Sequence, residues 1–279
     1  MPRRGIASTC LAMTTPIRQN LPPRSSTTGA MFIILAALLF SIVPFSLGLG
    51  PWSAALSILL LVAAVLVHEL QAVHISFFTA GFIIMPILFP IFRSWPFNLL
   101  IPFMLYLTTA VVITALRKSI FWTRAGRFDR DIAALVIVTA IISGIALYGW
   151  YRAFKPDLSI HLGYMPDMPL WLYPLAGLGY STGNALLEEL VFRGIFMQAL
   201  DSAFGPAVIS LVAQAWLFAT VHYVQGFPNG AWGLAMTFVY GVMLGVIRRR
   251  SQGLFAPWVA HLCSDIVIFA ILAANVIAQ

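Results

Sequence analysis

Three short clusters in the C-terminal half of the chain hold side chains able to activate a water and steady a developing negative charge. They are Glu188-Glu189-Leu190-Val191-Phe192-Arg193, Phe218-Ala219-Thr220-Val221-His222 and His261-Leu262-Cys263-Ser264-Asp265. In the first, Glu189 and Arg193 stand four residues apart, share one helix face and can pair. Glu188 points about 100° away and is left without that partner. Two adjacent carboxylates beside one arginine can then take different roles, one ionised and fixing geometry, the other tuned by its surroundings. His261 and Asp265 are also four apart, a spacing that lets the carboxylate orient the imidazole. Each cluster alone has a plainer reading: a salt bridge at a helix end, an interfacial histidine, a polar pair joining two helices.

The elements that must position these side chains are membrane helices. Of the 279 residues, 61% are hydrophobic and only 9% charged, where a soluble domain carries about a quarter charged residues. A spanning helix needs roughly 20 mostly apolar residues. Such stretches lie near 31–49, 52–68, 75–92, 97–116, 132–151, 170–200, 206–223, 231–247 and 255–276. The second and third are short enough to form one re-entrant pair. The expectation is therefore an all-α bundle of eight or nine spans, with the three clusters among the C-terminal four helices. The runs are continuously apolar, which excludes the alternating pattern of a membrane barrel.

Residues 1–30 read as a disordered basic tail, 31–151 as N-terminal transmembrane helices and 168–276 as the membrane domain carrying the clusters. A polar connection over 152–168 divides the chain. Segments before it carry almost no ionisable residues at depth, and segments after it carry several. Three of the nine acidic residues, Glu188, Glu189 and Asp265, fall inside apolar segments, as do Arg193, His222 and His261. A charge at that depth costs about 2.5–3.5 kcal/mol on insertion scales, which makes each a functional candidate.

The net charge of +7 comes from Arg3, Arg4, Arg18 and Arg24, from the 117–130 loop and from Arg248-Arg249-Arg250. With nine spans, all three groups fall on one side, which the positive-inside rule makes cytoplasmic, the N-terminus included. This placement points to the lipid bilayer of a cell membrane and away from nucleic acid. Cys10 and Cys263 make no disulfide framework, and no apolar run precedes Cys10 as a lipoprotein signal requires. Met13 and Met31 are alternative starts, and the first span can direct insertion without a cleavable signal.

Helix rise brings the clusters to similar depth. Glu188 stands about 20 Å from the turn at Asp201–Gly205, His222 about 25 Å back along the next helix, and His261 about 10 Å up the last helix after the turn at Arg248. With ordinary tilts they converge near mid-membrane. The three plainer readings would then all have to hold at once. The same arithmetic sets His222 and Glu188 nearer the outer side, hinting at a substrate outside the cytoplasm.

The order Glu-Glu-x-x-x-Arg, Phe-x-x-x-His, His-x-x-x-Asp resembles the three motifs of the CAAX-protease and bacteriocin-processing family, which includes the type II CAAX prenyl endopeptidases. The resemblance covers roughly residues 170–276 and extends to Phe192-Arg193-Gly194 and to the Gly241–Gly245 stretch. It implies an intramembrane endopeptidase acting on membrane-associated peptides or proteins. It implies Glu188 as the residue that activates water, His222 as a second holder of that water, and Glu189 with Arg193 as a supporting pair. His261 and Asp265 take the place of the residues that stabilise the oxyanion. The third motif often ends in Asn. An ionised Asp265 cannot donate to an oxyanion, so it either orients His261 or carries a proton.

Amide hydrolysis needs a base for water and donors aimed at the oxyanion. The chain has no Gly-x-Ser-x-Gly and no His-Glu-x-x-His motif. A metal-free reaction needing no cofactor is the favoured expectation. Zinc is the alternative, with Glu188, His222 and His261 as its ligands. Two rival classes use the same residues differently. A transporter would use them as a polar relay but would show repeated halves or broken helices, and neither is seen. A membrane scaffold would have no need of both glutamates and both histidines.

Overall fold

A computed structural model describes residues 21–45 and 50–278, and within these every regular element is helical. In chain order the helices are α1 (Thr27–Ile42), α2 (Gly50–Leu66), α3 (Leu70–Leu88), α4 (Phe97–Val112), the short α5 (Thr114–Lys118) and α6 (Arg130–Phe154). The short α7 (Ser159–Leu162) follows, then α8 (Tyr173–Glu188), a π-helical stretch (Glu189–Phe196) and α9 (Met197–Phe204) as one continuous run. The chain closes with α10 (Val208–Gln225), α11 (Gly230–Ser251) and α12 (Phe255–Ile277). Five helical stretches are long and apolar enough to cross a membrane: 27–45, 70–88, 130–154, 230–251 and 255–277. Those at 50–66, 97–112 and 208–224 are apolar but shorter. The protein is therefore a helical integral membrane protein.

Local chemistry sets several boundaries. Ser26 Oγ accepts from Gly29 N at 3.1 Å and caps α1, so Thr27–Ala30 are helical and the expected tail ends earlier than residue 30. The segment before it is tied down too, since Ser25 N donates to Ser202 O at 3.1 Å. The rest of the tail, with Cys10, lies outside the described residues. Asp129 Oδ1 accepts from Ile132 N and caps α6, which ends where Lys155 turns left-handed. The 124–127 turn lies against the 251–255 turn through paired backbone bonds: Arg127 N to Ser251 O, Leu254 N to Arg124 O and Phe255 N to Ala125 O. Gly126 has φ of +82°, and a Cβ there would run into the Ser251 and Gly253 backbones, so both turns need glycine.

This contact puts the 117–130 and 248–250 arginines at one end of the bundle, and Arg24, against Gly205, joins them there. The 152–168 connection sits at the other end, where His161 Nε2 donates to Gly226 O at 2.9 Å. Three packing units hold the rest. Phe40, Phe78 and Phe82 of the N-terminal helices close on Phe192 and Phe196 of the π-helical stretch, with Phe218 behind them. Ile132 and Val136 of α6 pack with Leu244, Ile247, Ala256 and Ala260, so α6 sits with the C-terminal helices although it precedes the polar connection. Between α10 and α11 the glycines noted in the sequence act as spacers. A Cβ on Gly241 would press on Ala215, and one on Gly245 would collide with Leu211, so these helices approach closely only with glycine there.

Candidate active site

The regular α8 ends at Glu188 and the wider π-helical turn begins at Glu189, a rare form that concentrates at functional sites. No feature of the sequence had marked this change. The expected pair survives it: Arg193 Nη1 donates to Glu189 Oε1 at 2.9 Å, with both side chains fully buried. The guanidinium also lies 4.3 Å from the Phe218 ring centroid and donates to Gly241 O at 3.4 Å. That carbonyl accepts from Gln214 Nε2 as well. Arg193 is thus held by α8–α9, α10 and α11 together.

Glu189 Oε1 takes a second donor. His261 Nδ1 donates to it at 2.8 Å, across from α12. This differs from the spacing argument, which had Asp265 orienting the imidazole. Asp265 Oδ1 stands 3.7 Å from His261 Nε2, too far for a hydrogen bond. The carboxylate instead accepts from Asn184 Nδ2 at 2.9 Å. The reason is geometric: four residues on one helix bring two side chains near, but an acceptor on a facing helix can meet the ring nitrogen in line. With Nδ1 committed to Glu189, His261 presents Nε2 towards Glu188 Oε2, 3.4 Å away. Glu188 Oε2 is buried and has no hydrogen-bond partner among the described residues.

His222 is placed by its own helix. Its Nδ1 donates to Phe218 O at 2.9 Å, which leaves Nε2 uncommitted. The Phe218 ring lies between the two histidines, edge-on to each, with centroids 4.7 Å from His222 and 5.7 Å from His261. His222, His261 and Asp265 line one cavity of about 320 Å³. Apart from Ser143, Thr237, Tyr240 and Ser264, its other walls are apolar: Ile142 and Leu147 of α6, Met236, Val239 and Met243 of α11, and Phe227 with Pro228 from the turn at the end away from the arginines. Ile142 and Val239 are half exposed on the apolar outer surface, so the cavity reaches that surface between α6 and α11.

All six residues singled out in the sequence meet in this one region. Several partners were not foreseen. Asn184 stands four before Glu188, on its face of α8, a spacing from which it could have been found. Trp95 Nε1 donates to Asn184 Oδ1 at 3.0 Å, which sets the amide with its nitrogen towards Asp265. Tyr240 packs edge-on to His261 and accepts from Ser264 Oγ at 2.8 Å. As to a metal, Glu188 and His261 form a close pair, but no group of three His, Cys, Asp or Glu side chains among the described residues is arranged to hold an ion.

Residues 169–267 match the family model described as type II CAAX prenyl endopeptidase Rce1-like, and this segment contains all six residues. The resemblance read from the three motifs is borne out there. Over 131 residues the chain is 23% identical to the sporulation-killing factor biosynthesis protein SkfC of Bacillus subtilis (strain 168). That alignment takes in 47% of this chain and 25% of the relative, so the match spans about a quarter of that protein's length. No solved structure matches the chain with significance.

Proposed function

We propose that this chain is an intramembrane endopeptidase that hydrolyses peptide bonds of membrane-associated peptides or proteins, with water activated by Glu188. The observation that carries the reading is the Glu188 carboxylate: buried, with Oε2 unpartnered, 3.4 Å from His261 Nε2. An unsatisfied carboxylate oxygen in an apolar interior is costly unless something else occupies it during work. A water held between Glu188 and His222 Nε2 gives it that occupant. Glu188 takes the proton as the water oxygen attacks the carbonyl carbon, and returns it to the leaving amine. His261, protonated at Nε2, donates to the oxyanion, while Glu189 holds its Nδ1 and balances the charge with Arg193. Asp265 serves as the acceptor for Asn184 and borders the substrate space. The type II CAAX prenyl endopeptidase family model supports processing of peptide or protein substrates.

In the same reading the chain spans the cell membrane eight or nine times, with the arginine-rich end cytoplasmic. The cavity between α6 and α11 then admits substrate from the bilayer on the far half. No step requires a metal. The test is cleavage of a membrane-anchored peptide library by the purified protein, wild type beside Glu188→Gln, with and without chelator. Cleavage lost in the variant and kept with chelator is the expected result. Loss with chelator and recovery with zinc would replace the water mechanism by a metal one. Equal inertness of both proteins over many substrates would favour a scaffold.

A further inference from the structure

A second cavity, of about 70 Å³, lies at the arginine-rich end of the bundle. Its walls bring together Arg124 from the 119–129 loop, Asp201 from α9, and Arg248 and Arg249 from the last turn of α11, with Arg193 at its inner end. Asp201 is the one acid among the described lining residues, and it is already engaged. It accepts from Arg249 Nη2 at 3.0 Å and from Ser210 Oγ. Glu189 likewise neutralises Arg193. Arg248 is the odd one out. It makes no side-chain hydrogen bond to any described residue and feels Asp201 and Glu189 only through space, while its Nε, like those of Arg193 and Arg249, is buried without a partner. Four arginines at one concave wall, one of them half-buried and without a hydrogen-bonded carboxylate, outnumber the nearby acids Asp201 and Glu189, and that surplus of positive charge calls for an anion. The space holds several waters' worth of volume, enough for one tetrahedral oxyanion.

The rim decides which anion. Leu21, Pro22, Phe121 and Pro206 border the cavity, and Val208 and Ile209 continue from Pro206 as exposed apolar side chains, 72% and 54% accessible. A phosphate seated on Arg248 would thus have an apolar track beside it for acyl chains. We propose that this cavity binds the phosphate of an anionic phospholipid, held by Arg248 with Arg124 at the wall. Basic pockets between membrane helices recognise anionic headgroups in this way. The site is separate from the peptidase reading and does not depend on it.

The test uses the full chain in neutral detergent, titrated with phosphatidylglycerol, phosphatidylcholine or inorganic phosphate, read by bound lipid in native mass spectrometry and by thermal unfolding. Phosphatidylglycerol should bind and raise the unfolding temperature, and phosphatidylcholine should not. Arg248→Gln should weaken phosphatidylglycerol roughly tenfold, the size of one lost charge-assisted bond. Gln252→Glu, which adds an acid at the cavity wall, should weaken it too and decides the matter if Arg248→Gln does not fold. Arg152→Gln, at the opposite end, should bind as wild type. A response to inorganic phosphate equal to that of phosphatidylglycerol would keep the phosphate site and overturn lipid as its source. Equal responses to both lipids, or no weakening in either cavity variant, would overturn the proposal.

Discussion

His74 and His261 are both buried histidines on apolar helices, one in each half of the chain, and their surroundings differ in what they leave over. Both ring nitrogens of His74 are bonded. Tyr106 Oη donates to His74 Nδ1 at 2.9 Å, His74 Nε2 donates to Ser119 Oγ at 2.8 Å, and Ser119 Oγ donates on to Leu116 O. Gln71 and Gln198 both donate to Ser119 O, and Gln198 Oε1 accepts from Phe121 N at 2.6 Å. This network fastens α3, α4 and α9 to the start of the 119–129 loop. Around His261, by contrast, Glu188 Oε2, Glu189 Oε2 and Arg193 Nε are buried without hydrogen-bond partners among the described residues, and His261 itself lines a cavity with His222 and Asp265. A satisfied network stiffens a fold, whereas unmet polar atoms beside a cavity are what a reaction can use.

That contrast can be broken by mutation, and the largest effect should come from the shared ion pair. Arg193→Ala leaves Glu189 buried without its cation and should cost about 3–5 kcal/mol of stability, read as loss of folded protein on size exclusion. Retention of a normal folded yield would mean that the pair is not buried as described. Glu188→Gln should keep the fold and lower the cleavage rate by roughly 10²–10⁴-fold, the usual worth of a positioned base. His74→Ala should do the reverse, losing about 1–3 kcal/mol in thermal unfolding while the rate per folded molecule stays unchanged. A rate loss like that of Glu188→Gln would erase the distinction between the two histidines. The smallest effect is expected for Trp95→Phe, which frees the Asn184 amide. A neutral hydrogen bond is worth about 0.5–1.5 kcal/mol, so the rate should fall about two- to tenfold with little change in stability.

Much of the architecture was legible in the chain. The apolar stretches appear as helices with shifted ends, and the three basic groups, as far as they are described, do share one end of the bundle. Depth before the polar connection is nearly free of ionisable groups, with His74 the buried exception, bonded to Ser119. Within the site, Glu189 with Arg193 was read correctly because the spacing is a property of one helix. The partner of His261 was not, because Glu189 reaches it from a different helix.

By itself the sequence determined where polarity is concentrated, which side chains share a helix face, and which half of the chain carries the chemistry. Those follow from composition and from the 3.6-residue period alone. The tertiary structure decided the rest: the π-helical turn at Glu189, the double use of its carboxylate, the Trp95–Asn184–Asp265 chain, and the two cavities, one lined by His222 and His261 and the other by Arg193 and Arg248. Helices meant for lipid are apolar on nearly every face, so periodicity does not reveal which face meets which neighbour. Rotation and tilt are settled by contacts such as Gly241 against Ala215 and Phe40 against Phe196, between residues far apart in the chain.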